Sequence, residues 1–201
     1  MLGESFDRAV RLVRESFAGK YRKGTEIPYV AHLLEVAALT LSAGGDERQA
    51  IAALLHDALE DVPDRITPEL IEHRFGEDVL AIVEACTDGT PGQARDPESW
   101  LARKKAYVAH LRGADTRVLV VSLADKLANA RAIVADARAL GPPFWKRFNA
   151  GPEEQRWYYE SLRSVFTERL DGHAGAEVLV EDFASTVRRL SVLAAEAEVA
   201  P

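Results

Sequence analysis

Apolar residues recur along this chain at three- and four-residue intervals, the spacing of one face of an α-helix, and glycine or proline divides the pattern into separate runs. Phe6, Val10, Val13 and Phe17 mark a first helix that stops before Gly19. Pro28 suits the first turn of a second, which runs through His32 to about Leu41 and ends at Gly44-Gly45. Asp46 with Gln49 three residues later resembles a capping box and starts a third helix, which continues to Val62. Thr67-Pro68-Glu69, Gly76-Glu77-Asp78 and Asp96-Pro97 introduce three more. Val118-Leu119-Val120-Val121 is rich enough in β-branched residues for a buried strand. Its apolar spacing continues through Leu123, Leu127, Ala130 and Ile133, however, well beyond the length of a typical strand, and this predicts a helix. Further helices over residues 152–170 and 176–195 complete an all-α expectation, with working loops at 88–95 and 141–152.

Within the third helix, Leu54-Leu55-His56-Asp57-Ala58-Leu59-Glu60-Asp61-Val62 sets four ionisable residues into an apolar run. At 100° per residue these four share an arc of about 140°, while Ile51, Leu54, Leu55, Ala58, Leu59 and Val62 fill the opposite side. His56 and Asp57 offer a nitrogen and an oxygen to a metal, and Glu60 and Asp61 add carboxylates that could move protons. A solvated polar face would account for this segment equally well. Two other helices change the weighting. His32 lies inside apolar Tyr29-Val30-Ala31-His32-Leu33-Leu34, and Asp125 ends the apolar run from Val118. A carboxylate in core-like sequence needs a partner or a metal. If these helices pack side by side, His32, His56, Asp57 and Asp125 could converge on one cation.

Composition narrows the field. The 201 residues, 47% hydrophobic and 28% charged, suit a globular chain, expected as a single domain over 1–201 because no repeat or long linker divides it. The formal charge of −7 argues against broad adhesion to nucleic acid or anionic membrane, while leaving phosphate on a small ligand possible. Cys86 stands alone, the start Met1-Leu2-Gly3-Glu4-Ser5 lacks signal-peptide character, and no apolar run approaches the roughly 20 residues of a membrane span. A cytoplasmic location is expected.

The ordered set of His32, His56-Asp57 and Asp125 resembles the signature of HD-superfamily metal phosphohydrolases. Arg22-Lys23-Gly24, Pro28-Tyr29-Val30-Ala31-His32, His56-Asp57-Ala58-Leu59-Glu60-Asp61, Phe75-Gly76, Thr87-Asp88 and Asp125-Lys126-Leu127-Ala128-Asn129 more narrowly resemble the hydrolase domain of the RelA/SpoT family. The likeness spans residues 3–170, leaves 171–201 as a helical extension, and is greatest to the stand-alone small alarmone hydrolase. It implies a multi-helix HD-type bundle that uses one divalent ion, Mn²⁺, to release pyrophosphate from the 3′ position of guanosine tetra- or pentaphosphate. Another HD-type nucleotide phosphohydrolase, releasing a single phosphate, and a non-catalytic nucleotide sensor are the alternatives.

By that resemblance His32, His56, Asp57 and Asp125 hold the metal, and Glu60 and Asp61 form the catalytic acidic pair. Arg22 and Lys23 match a basic pair that can stack on a base and meet phosphate. Asn129 and Tyr158 match nucleotide-facing positions, although both also suit structural roles. Arg103, Lys104 and Lys105 could neutralise phosphate, or form a solvated face. His73, His110 and His173 fall in no further metal motif. Leu33 stands where many relatives have proline and Ala128 where several have histidine, departures that leave room for a shifted substrate preference.

Overall fold

The computed structural model describes residues 2–87 and 97–199. The loop expected at 88–95, Asp88 of the Thr87-Asp88 motif and Asp96 lie outside the described residues. Within them are ten α-helices: α1 (Glu4–Ser16), α2 (Tyr29–Ser42), α3 (Glu47–Leu55), α4 (Ala58–Asp61), α5 (Pro68–Phe75), α6 (Glu77–Cys86), α7 (Pro97–Gly113), α8 (Thr116–Leu140), α9 (Pro152–Arg169) and α10 (Glu177–Glu198). No strand accompanies them among the described residues, so the fold is all-α. No described helix is long and apolar enough to cross a bilayer.

Two compact units divide the described chain, one of residues 2–87 with Asp115–Asp125 and the other of residues 97–114 with 126–199. In the first unit, α3 is the central helix, flanked by α1, α2 and α6. Every residue from Gln49 to Leu55 is buried, as expected of a helix that is apolar nearly all round. Its start is set by the capping box: Gln49 N–H donates to the Asp46 carboxylate at 2.9 Å, and Asp46 N–H donates to Gln49 Oε1 at 3.1 Å. The end of α2 is fixed as firmly. Gly44 takes a φ of 81°, Gly44 N–H donates to Leu41 O and Gly45 N–H to Thr40 O, the paired bonds of a Schellman motif. Pro28 sits one residue ahead of α2, at its N-cap.

The expected third helix does not run unbroken to Val62. It ends at Leu55, His56 and Asp57 form a turn, and α4 begins at Ala58. The Asp57 ψ is 0°, far from the roughly −42° of a regular α-helix, so the hydrogen-bond ladder lapses there. Neighbours on a regular helix diverge by about 100°, and the turn frees His56 and Asp57 from that constraint.

The segment of uncertain type at Val118 is helical, and residues 118–125 are buried without a gap. The Asp115 carboxylate accepts the Arg117 N–H at 2.8 Å and so caps α8. That hydrogen bond, foremost, lowers the Asp115 pKa below its usual value. Asp115→Ala should therefore cost about 1 kcal/mol in urea unfolding at neutral pH. A lowered folded-state pKa stabilises above the unfolded value, so the difference should shrink as pH falls below about 4 and be lost once pH passes the lower folded-state value.

In the second unit α9 packs against α7 and α10. Aromatic rings fill its interior: Phe166 meets Phe183 edge-on at 5.5 Å, and Tyr159 lies 6.3 Å from the same ring. Residues 141–152 are more ordered than a loop, because Pro142–Arg147 form a 3₁₀ segment that buries Phe144 and Trp145. Helix α10 likewise buries Leu179, Phe183, Val187, Leu190 and Ala194 at helical spacing.

Candidate metal centre

Three elements of the first unit supply the centre. His32 lies one turn into α2, His56 and Asp57 form the turn after α3, and Asp125 lies on α8. The packing of α2 on α3 brings the two imidazoles to a centroid separation of 5.2 Å. Donor atoms of His32, His56 and Asp57 lie within 4.8 Å of one another. Asp57 Oδ2 is 3.0 Å from His56 Nε2 and 3.6 Å from His32 Nε2. Asp125 Oδ1 approaches the same two nitrogens, at 3.4 Å and 3.2 Å. Two carboxylates and two imidazoles thus face one point in a largely buried setting.

His56 is pre-set for ligation. Its Nδ1 lies 2.7 Å from the Ala53 carbonyl, an acceptor, so Nδ1 carries a proton and Nε2 is the nitrogen turned toward the cluster. Buried His56 Nε2 and both ring nitrogens of His32 have no hydrogen-bond partner among the described residues. A buried polar atom without a partner is costly, and a metal ion would satisfy the two Nε2 atoms.

The electrostatics favour positive charge at this point. Burial opposes protonation of His56, yet the Asp57 and Asp125 carboxylates raise its pKa well above the usual value. Asp57 shows the reverse balance: burial works against its charge, but His56 holds its pKa well below normal. A cluster that draws a proton so strongly would draw a divalent cation by the same field, releasing protons as it binds. Nitrogen and oxygen donors suit a borderline to hard ion.

The acidic pair follows within one turn. Glu60 N–H and Asp61 N–H both donate to the Asp57 carbonyl, at 3.2 Å and 2.9 Å, tying α4 to the turn that carries two of the ligand-type side chains. Burial, then the Asp57 charge, raises the Asp61 pKa. Lys20 Nζ donates to the Asp61 carbonyl oxygen. Two residues beyond Lys20, Arg22 and Lys23 stand on a turn closed by Arg22 N–H to Ile27 O at 2.9 Å. The Thr25 hydroxyl donates to Arg22 O and accepts from Ile27 N–H, which holds the turn in shape. Lys23 is exposed and Arg22 partly so.

A family model described as HD domain matches residues 9–141. The chain belongs to the HD-domain family. The matched span takes in His32, His56, Asp57, Glu60, Asp61, Asp125 and Asn129 and stops short of Tyr158. This HD-domain chain is 34% identical, over 80% of its length, to the guanosine-3′,5′-bis(diphosphate) 3′-pyrophosphohydrolase MESH1 of Xenopus tropicalis, 87% of which it covers. It is 32% identical over 79% of its length to the probable guanosine-3′,5′-bis(diphosphate) 3′-pyrophosphohydrolase of Synechocystis, and spans only 19% of that protein. To the guanosine-3′,5′-bis(diphosphate) 3′-pyrophosphohydrolase of Aquifex aeolicus it is 35% identical over 65% of its length, spanning 18% of that protein. Among solved structures, lmo0812 of Listeria monocytogenes superposes with a TM-score of 0.69 at 25% identity, over 80% of this chain and 99% of that one. A metazoan ortholog of SpoT that hydrolyzes ppGpp shares the fold at a TM-score of 0.62 and 23% identity, over 98% of this chain and 95% of that one.

The remaining candidate contact residues, Asn129, Tyr158, Arg103, Lys104 and Lys105, belong to the second unit. Asn129 is half-buried on α8. Tyr158 is buried, edge-on to Trp100 at 5.9 Å, and the Lys104 ammonium sits 4.9 Å from its ring centroid. Arg103 Nε donates to Ser99 Oγ at 3.3 Å, and Lys105 is exposed, 6.0 Å from the Trp157 ring. Arg103 and Lys104 are therefore packed against their unit rather than fully solvated. Sequence reasoning gave no role to Tyr29, whose hydroxyl donates to Asp57 Oδ2 at 2.6 Å. The available signal was its place three residues before His32, on the same side of α2. Burial above all, then Asp57 and Asp61, pushes the Tyr29 pKa far above its usual value.

Proposed function

We propose that this protein is a metal-dependent phosphohydrolase that removes pyrophosphate from the 3′ position of guanosine 3′,5′-bis(diphosphate), with one divalent ion, Mn²⁺, held by His32, His56, Asp57 and Asp125. The convergence of those four side chains on one buried point carries the reading. The activities of MESH1 and of the Aquifex protein support the choice of substrate.

In the proposed reaction the oxygen of a water molecule bonds to the phosphorus carried on the ribose 3′ oxygen, and the P–O bond to that oxygen breaks. The products are GDP and pyrophosphate. When bound, the divalent ion supplies Lewis acidity toward water and phosphate oxygen. Glu60 takes the proton released by the attacking water, and the 3′ oxygen is protonated as it leaves. Asp61, seated in a partly buried position beside Asp57, assists that transfer. Arg22 stacks on the base and Lys23 meets phosphate from the turn ahead of α2. Asn129 and Tyr158 are assigned nucleotide contacts on family resemblance. A cytoplasmic location belongs to the same proposal, supported by a lone cysteine that cannot form an internal disulfide.

A product assay across a nucleotide panel with Mn²⁺ tests the activity. Pyrophosphate and GDP from the guanosine 3′,5′-bis(diphosphate) are expected. Orthophosphate alone, released from other nucleotides, would replace this reading with that of a different HD-type phosphohydrolase, and absence of turnover on every nucleotide would favour a sensor.

A further inference from the structure

Tyr29 begins α2 and is held from two sides. Its ring stacks on Phe17 of the first unit, with centroids 5.4 Å apart and planes only 11° from parallel. It also meets the His32 ring edge-on at 5.7 Å. Its backbone N–H donates to Lys20 O at 2.9 Å, joining the segment that leads into the Arg22–Lys23 turn to the start of the helix. Rotation of the ring is therefore restricted before any polar contact is considered.

The hydroxyl so positioned donates to Asp57 Oδ2 at 2.6 Å, a short, charge-assisted bond. That oxygen is the one 3.0 Å from His56 Nε2 and 3.6 Å from His32 Nε2. A lone carboxylate rotates about its Cα–Cβ and Cβ–Cγ bonds, and the Tyr29 bond removes much of that freedom from Asp57. Outer partners of this kind orient metal-binding side chains, and losing one typically weakens metal affinity or activity about 10- to 100-fold.

We infer that Tyr29 is a positioning residue: its hydroxyl, set in place by the Phe17 stack, aims the Asp57 carboxylate at the metal point. The inference rests on the metal-site reading above. It assigns the effect to one oxygen atom, because phenylalanine keeps the ring and its stack while removing only the donor.

Calorimetric titration of metal-free protein with Mn²⁺ alone, without nucleotide, tests this. Tyr29→Phe should weaken Mn²⁺ binding about 10-fold or more while the metal-free protein still unfolds in one cooperative transition. Phe17→Leu, which keeps the hydroxyl but loosens the stack, should weaken binding by a smaller factor. Wild-type Mn²⁺ affinity in Tyr29→Phe would overturn the inference, as would a larger loss in Phe17→Leu than in Tyr29→Phe. Asp125→Ala, titrated alongside, separates the two readings. If it too binds Mn²⁺ like the wild type, the metal site itself is misplaced; if it loses binding while Tyr29→Phe retains it, only the role of Tyr29 fails.

Discussion

Alanine at position 125 should leave the purified protein with little bound Mn²⁺ and abolish the rise in melting temperature that added Mn²⁺ gives the wild type. Asp125 is buried, and its Oδ1 lies 3.2 Å from His32 Nε2 and 3.4 Å from His56 Nε2. Truncation removes one of two anionic donors at the proposed ion position. Affinity should fall by more than about 100-fold, since even outer-shell partners are worth about 10- to 100-fold. For the wild type, free metal at 100 times its dissociation constant should add about 2.7 kcal/mol to stability, and the variant should show almost none of it. Elemental analysis and thermal melts with and without Mn²⁺ measure both effects. Unchanged metal content in Asp125→Ala would remove Asp125 from the ligand set.

Glu60→Gln should give the opposite combination, with metal retained and turnover lost. Glu60 is tied to the His56–Asp57 turn by its N–H bond to the Asp57 carbonyl at 3.2 Å, yet it is not among the four converging side chains. The amide is close in size to the carboxylate but cannot accept a proton. Loss of a positioned general base typically lowers kcat by about 10²- to 10⁴-fold. Mn²⁺ affinity and KM should move far less than kcat. Wild-type turnover in Glu60→Gln would assign proton transfer elsewhere, with Asp61 the next carboxylate to examine. The two variants together distinguish holding the ion from using the water.

Much of the local structure is legible from residue order. The capping box at Asp46 and Gln49, the threonine–proline start of α5 and the glycine stop after α2 appear where the sequence places them. These are short-range effects, governed by backbone hydrogen bonds and by φ preference within a few residues. The break at His56–Asp57 is not legible in this way, because apolar periodicity continues across it and both residues tolerate helical angles. The order within residues 141–152 is likewise hidden, since Gly141-Pro142-Pro143 reads as an interruption until Phe144 and Trp145 are seen to be buried.

By itself, the sequence determined an all-α protein, the faces its helices bury, and the presence of His32 and Asp125 as polar intrusions in core-like segments. Period, cap and composition act locally, so they survive without knowledge of the fold. The tertiary structure alone decided that the side chains of His32, His56, Asp57 and Asp125 converge, with imidazole-to-carboxylate separations of 3.0 to 3.6 Å, that Ala53 O faces His56 Nδ1, and that Tyr29 orients Asp57. Those contacts join residues far apart in the chain. They exist because packing around α3 brings charged groups into a buried space where each must be satisfied by another or by a cation.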